Sequence, residues 1–279
     1  MDVVNRDCLA VMEDAAGRVS ALVVSSDEDR ETFRTDVLEY DTFEAEPRTL
    51  FTDDISVSQM WKATSGRHFL CEVLGTVLWQ EAGTFRRTEL DAKQLYGIWG
   101  LAEDAVYTVG GEGRCFRFDG AGWTAMHVPG GPDLSAVHGR SETDVAVVGN
   151  DGLVARWDGS TWRVLDLPAS GRFRAVHVMP DGTLYAAGLG GVFVRLFEGE
   201  LTVLEGTKDD LHAIQPFEGS IYVGSAEGGI HVVDGSGLVS TKPKARGYFM
   251  HATDRHLTTC GVTQMAQFDG GKWRARTFA

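Results

Sequence analysis

The sequence of 279 residues has no long apolar run, no paired cysteines, little proline and a shortage of positive charge, and each shortage excludes something. No stretch approaches the ~18 apolar residues that a membrane span requires. The start, Met1 to Cys8, has no basic segment followed by an apolar one, so no secretory leader is expected and the expected location is cytoplasmic. Cys8, Cys71, Cys115 and Cys260 lie far apart without a C-x-x-C pair, so reduced, packed thiols are expected in place of a disulfide or zinc framework. Lys+Arg 26 against Asp+Glu 40 leaves a net charge of −14. That is a poor match for nucleic-acid phosphates or an anionic membrane, both of which need clustered cations. Only six of the basic residues are lysine, an arginine bias that points to a GC-rich, bacterial genome. No G-x-S-x-G, H-E-x-x-H or phosphate-cradling glycine loop is present, and no stretch carries the 3.6-residue period of an amphipathic helix.

Glycine is what the sequence has in excess: 34 residues, about 12% against a usual ~7%. The glycines fall in a repeat. Leu95-Tyr-Gly-Ile-Trp-Gly, Leu134-Ser-Ala-Val-His-Gly, Phe173-Arg-Ala-Val-His-Val, Leu211-His-Ala-Ile-Gln-Pro and Gly247-Tyr-Phe-Met-His-Ala align at Trp99, His138, His177, Gln215 and His251, in steps of 39, 39, 38 and 36. A second column, Gly110, Gly149, Gly188, Gly224 and Gly261, closes a short apolar run in each unit. A third is Phe118-Asp-Gly-Ala-Gly-Trp123, Trp157-Asp-Gly-Ser-Thr-Trp162 and Phe268-Asp-Gly-Gly-Lys-Trp273, with weaker copies at Phe197-Glu-Gly199 and Val233-Asp-Gly235. Earlier units start near Cys8 and Ser58, the first lengthened by an insert, Ser25 to Phe33.

Each unit predicts four short strands. In the unit from Leu134 they are Leu134–His138, Val145–Val148, Leu153–Trp157 and Trp162–Leu167, with Asp-Gly as the tight turn between the last two. Four strands per ~38 residues, repeated, is the pattern of radial wedges around an axis. The predicted fold is an all-β, seven-bladed β-propeller of four antiparallel strands per blade. It forms a single domain with blades at about 1–54, 55–93, 94–131, 132–170, 171–208, 209–245 and 246–279. The first and last blades each own four candidate strands, so closure without strand exchange is expected. Residues 1–54 carry a balance of −10 and residues 242–276 of +5. Those blades must meet, so charge is expected to assist packed apolar faces at the closure.

On these motifs the chain resembles bacterial β-propeller repeat proteins of the form V-W/H-G…V-G…D-G-x-x-W. It is distantly similar to WD-repeat and Asp-box propellers, although Asp158 precedes Trp162 by four positions where the Asp-box has five. The resemblance implies architecture and transfers no catalytic residue.

Within this fold the insert joins the second and third strands of blade one, on the face formed by those loops and the blade-to-blade connections. Asp27, Glu28, Asp29, Glu31, Asp53, Asp54, Glu112, Asp151, Asp209, Asp210 and Glu227 are expected on that face. Like charges on one face sum their field, so they are the candidate partner-binding residues, and the expected partner is a basic protein. His138, His177 and His251 share one level of the ring, but Trp61, Trp99 and Gln215 stand in the same column, so a packing slot is expected and no metal. Asp119, Asp158, Asp234 and Asp269 belong to repeated turns spread around the rim, unlike the close carboxyl pair of a glycosidase, and the expectation is a non-enzymatic protein without cofactor. The sharpest reading is an acidic inhibitor or immunity protein masking a basic toxin or enzyme. The alternatives are a lectin-like or small-ligand-binding propeller, and a hydrolase or lyase using the central channel.

Overall fold

The computed structural model describes residues 5–165, 171–204, 206–235, 237–242 and 244–278. In it 28 strands form seven sheets, each of four consecutive antiparallel strands, here lettered a to d within each blade. The a-strand of every blade touches the a-strand of the next, and that of blade seven touches that of blade one, so the wedges make a closed ring with the a-strands around the axis. Closure uses no exchanged strand, as the unit count predicts.

Blade four shows why the repeat folds this way. Its strands are Leu134–Ser141 (a), Asp144–Gly149 (b), Val154–Trp157 (c) and Trp162–Leu165 (d); residues 166 and 167, expected in d, lie outside the described residues. The b-strand is buried throughout because its two faces press on two neighbouring blades, and it therefore reads Val-Ala-Val-Val without alternation. The d-strand lies outermost and is largely solvated. In the turn between c and d, Asp158 Oδ1 accepts the backbone N–H groups of Ser160 and Thr161, and Gly159 takes the left-handed φ of +99°. Asp119 and Asp269 do the same in blades three and seven. Trp162 packs on Trp157, centroids 5.5 Å apart, and its indole N–H donates to the Met126 carbonyl in the preceding blade at 2.6 Å.

The glycine column has a steric cause. Gly149 is extended, at φ −168°, a conformation open to any residue. A Cβ there would stand 2.1 Å from the Asp133 carbonyl oxygen, and the same collision meets Gly110 at Gln94 and Gly188 at Arg172. The incoming connection from the previous blade runs against the end of strand b, and only hydrogen fits.

Blade one closes on blade seven through apolar packing of Cys8, Val11 and Val23 with Cys260 and Met265, and through the backbone bond from Cys8 N–H to the Val262 carbonyl. Charge does cross this seam. The Glu13 carboxylate, 1% exposed, lies 2.8 Å from His256 Nδ1 and accepts from Gln267 Nε2 at 2.9 Å. Arg274 pairs with Glu44, and Arg276 donates to the carbonyls of Phe43 and Ala45 while covering the Tyr40 ring. On the other side of blade one, Lys62 is 2% exposed and bridges Asp14 at 3.1 Å and Glu39 at 3.5 Å.

The insert is a taller hairpin as much as a longer loop. Strand b of blade one runs Val19–Ser26 and strand c Phe33–Tyr40, paired from Val19 with Tyr40 to Ser26 with Phe33, so only 27–32 remain as the connection. Strand b here has eight residues, all buried, against five or six in the b-strands of the other blades, so its ladder is the longer one. All four cysteines are free and buried, and burial pushes the thiols of Cys71 and Cys115 up to about 11 and about 12. Among the described residues no helix is long and apolar enough to cross a membrane.

Candidate functional site

One face of the ring carries the b–c loops and the d-to-a connections, and on it the ring's axis opens as a mouth. Two tiers of side chains line the axis, one residue per blade. The deeper tier is Met12, Trp61, Trp99, His138, His177, Gln215 and His251, around a channel of about 360 Å³. The upper tier, three residues earlier along each blade, is Leu9, Ser58, Tyr96, Ser135, Arg174, His212 and, just before its a-strand, Tyr248, around a mouth of about 580 Å³. Gln59, Arg174, His212 and Phe249 line both spaces, so mouth and channel are continuous.

The deeper tier is the packing slot that the repeat predicts. Trp99 lies 4.6 Å from His138, and His138 stacks on His177 at 3.9 Å. His138 Nδ1 accepts the Val178 N–H of the next blade at 3.1 Å, and His251 Nδ1 accepts the Glu13 N–H of blade one at 3.2 Å. The residue one repeat on from Val178 is Pro216, which has no N–H to give, so His177 stands outside this pattern. Burial holds His138 well below the ordinary imidazole value, with His177 opposing its charge further, and lowers His177 and His251 to about 4. These rings are neutral packing groups at neutral pH. Among the described residues no group of three or more His, Cys, Asp or Glu converges on a metal position.

The acidic residues expected on this face lie on its connections, except Asp53, the last residue of the blade-one strand d Arg48–Asp53, and they divide into two kinds. Glu28, Asp29, Glu31, Asp54, Asp151 and Glu227 are exposed, and among the described residues their carboxylates have no partner. The others are committed to the fold. Asp27 gathers its own loop, accepting the N–H groups of Glu31 and Thr32 and the Thr32 hydroxyl, and that hydroxyl bond is the main reason its pKa is lowered. Asp53 pairs with Arg87 at 2.7 Å and Glu112 with Lys93 at 2.8 Å. Asp210 accepts the Gly190 N–H. Asp209 is half-buried: it takes the Thr207 hydroxyl, and its Oδ2 fills the space where a Cβ on Gly228 would stand. The free acids concentrate on blades one to four, whereas Arg172, Lys208, Lys244 and Arg246 sit on the connections around blades five to seven.

The upper tier was missed in the sequence, although it repeats with the same steps of 39, 39, 38 and 36 from Tyr96 to Tyr248. The insert loop also reaches this mouth. Arg30, at a left-handed φ of +56°, points to it and pairs with Asp7 at 3.6 Å, while Glu28, Asp29 and Glu31 remain in solvent.

No family model and no curated protein matches the sequence. Solved structures do. The chain is similar to the computationally designed protein Ika8 (14% identity, TM-score 0.69, covering 100% of this chain and 89% of that one). It is similar to Sqt1 of Saccharomyces cerevisiae (12% identity, TM-score 0.68, covering 99% and 87%). It is also similar to YCF48 bound to D1 peptide (17% identity, TM-score 0.61, covering 79% and 80%). At these identities the likeness establishes a shared propeller fold.

Proposed function

We propose that this propeller is a non-enzymatic protein-binding module whose b–c and d-to-a face takes a basic partner. The observation that carries the reading is the set of unpartnered, exposed carboxylates on one face, led by Glu28, Asp29 and Glu31 at the tip of the tallest hairpin. Such a rim raises the encounter rate of a cationic surface and repels anionic ones. YCF48, which shares the fold, has been solved with D1 peptide bound, so a propeller of this kind accommodates a polypeptide. An acidic propeller with one raised acidic hairpin suits an inhibitor or immunity protein that masks a basic toxin or enzyme.

The test immobilises the chain, captures proteins from lysate of its source at low and high salt, and compares it with the variant Glu28→Ser, Asp29→Ser, Glu31→Ser, Asp54→Ser. Basic proteins held by the wild type, released by salt and lost from the variant support the reading. Capture that is indifferent to these four substitutions takes the rim out of it.

A further inference from the structure

The mouth holds a cation, and the rim around it is divided: acidic on blades one to four, with Arg172, Lys208, Lys244 and Arg246 on the connections around blades five to seven. Arg174 is the second residue of the blade-five a-strand, exposed and turned to the mouth, and among the described residues no carboxylate pairs with it. Tyr96 and His212 are shifted chiefly by burial, and each also feels a carboxylate, Asp133 and Asp210 respectively, ahead of the Arg174 guanidinium, which places Arg174 and both side chains around one space. The other guanidinium at the mouth, Arg30, is already neutralised by Asp7. Ser58 has turned its hydroxyl away to the carbonyls of Cys71 and Leu95. What remains is a single uncompensated cation beside His212, Tyr248 and Ser135, side chains able to donate hydrogen bonds.

Charge and shape select what fits. One guanidinium with neutral donors matches the two oxygens of a monoanion, because a carboxylate takes a bidentate pair and leaves no surplus charge. A phosphate dianion would bring a second negative charge to one guanidinium, facing the carboxylates on the blade one to four side of the rim. A small free anion faces the same rim, whereas an anion carried at the tip of a cationic chain is attracted by both zones. Below the mouth, the channel of about 360 Å³ has a mixed wall: Trp61, Trp99, Val176 and Met250 supply apolar surface, and His138, His177, Gln215 and His251 supply polar surface. It lies along the axis under the mouth, so a segment lying flat across the face does not enter it. A chain end does.

We infer that the mouth captures the C-terminal carboxylate of a basic peptide segment, an assignment that rests on the reading of this face as a protein-binding surface. Arg174 holds the carboxylate, the terminal side chain descends towards Trp61 and Trp99, and the preceding lysines or arginines meet the acidic rim.

The probe is a pool of synthetic peptides Lys-Gly-Lys-Gly-Lys-X, with every natural residue at X, made as free acids and as C-terminal amides. A third pool carries an internal Asp and an amidated end. Each is titrated into the full chain by calorimetry. The free acids are expected to bind about tenfold more tightly than either amidated pool, the scale of one charge-assisted pair. Arg174→Gln, at an exposed position with melting temperature as the folding control, is expected to abolish that difference, and Arg30→Gln to leave it in place. Equal affinity of acids and amides, a difference that survives Arg174→Gln, an internal Asp that binds as well as a chain end, or no binding by any pool would each overturn the inference. The rim is scored separately. Its four-residue variant should weaken acids and amides alike. An acid–amide difference that persists without any rim dependence keeps the mouth assignment and removes the rim reading; rim dependence without that difference does the reverse.

Discussion

His138 and His177, one blade apart, stack with ring centroids 3.9 Å apart, and the Nδ1 of His138 is held by the backbone N–H of Val178. Burial disfavours a charge on either ring, and two adjacent imidazolium ions would in addition repel, so the stack is favoured while both rings are neutral.

This fixes the sign of the pH dependence. In the folded chain His177 and His251 titrate at about 4, and His138 is held well below the ordinary imidazole value, because burial disfavours their charged forms. The unfolded chain takes up those protons near pH 6.5. Stability is therefore fully present above about pH 6.5 and is lost as pH falls from there towards 4, by up to about 3 kcal/mol for each such histidine. Denaturant unfolding across this range should show the slope, and His177→Gln should flatten it. Below about pH 4 the carboxylates that ion-pair partners hold low against their own burial, Asp14 with Lys62, Glu39 with Arg48 and Lys62, and Asp144 with Arg156 and Arg140, extend the loss as they protonate.

Gly149→Ala is expected to cost at least about 2 kcal/mol, since its Cβ would stand 2.1 Å from the Asp133 carbonyl. Gly122→Ala, which has open space and no left-handed φ, should stay within about 0.5 kcal/mol. Equal effects in thermal unfolding would refute the steric reading of the glycine column.

Lys62→Met removes the cation between Asp14 and Glu39 and leaves two largely buried carboxylates with Arg18 and Arg48 alone. A loss of about 3 kcal/mol is expected from urea unfolding. An unchanged midpoint would show that the two arginines suffice.

The insert loop separates charge from shape. Glu28→Ser, Asp29→Ser and Glu31→Ser together should leave the melting temperature unchanged and reduce the salt dependence of partner association. Asp27→Ser should instead loosen the loop, because three bonds from Glu31 and Thr32 converge on its carboxylate. Amide exchange at Glu31 and Thr32 reports this directly.

These contrasts follow what the chain displays as a sequence and what it hides. The ring was legible because the turn chemistry at Asp119, Asp158 and Asp269 and the collision at Gly110, Gly149 and Gly188 recur in nearly constant steps. The added height of the first hairpin was not, because the fully buried run Val19–Ser26 shows no alternation to separate ladder from loop. The acidic face was legible as position but not as availability: whether Asp27 or Asp209 faces solvent or folds inward depends on hydrogen bonds to Thr32 and Thr207. The mouth stayed hidden for a further reason. Its seven positions hold Leu, Ser, Tyr, Ser, Arg, His and Tyr, which share spacing but no chemistry, so no column shows itself until the axis brings them together.

The most direct test of the binding face is amide hydrogen exchange with and without a saturating basic peptide, Lys-Gly-Lys-Gly-Lys-Leu as the free acid. The account predicts slowed exchange at 27–32, at 54–56, at 111–114, at 150–153 and at the first residues of the a-strands. Protection confined to the opposite turns, at 14–18, 63–67 and 142–143, or protection nowhere, would contradict it.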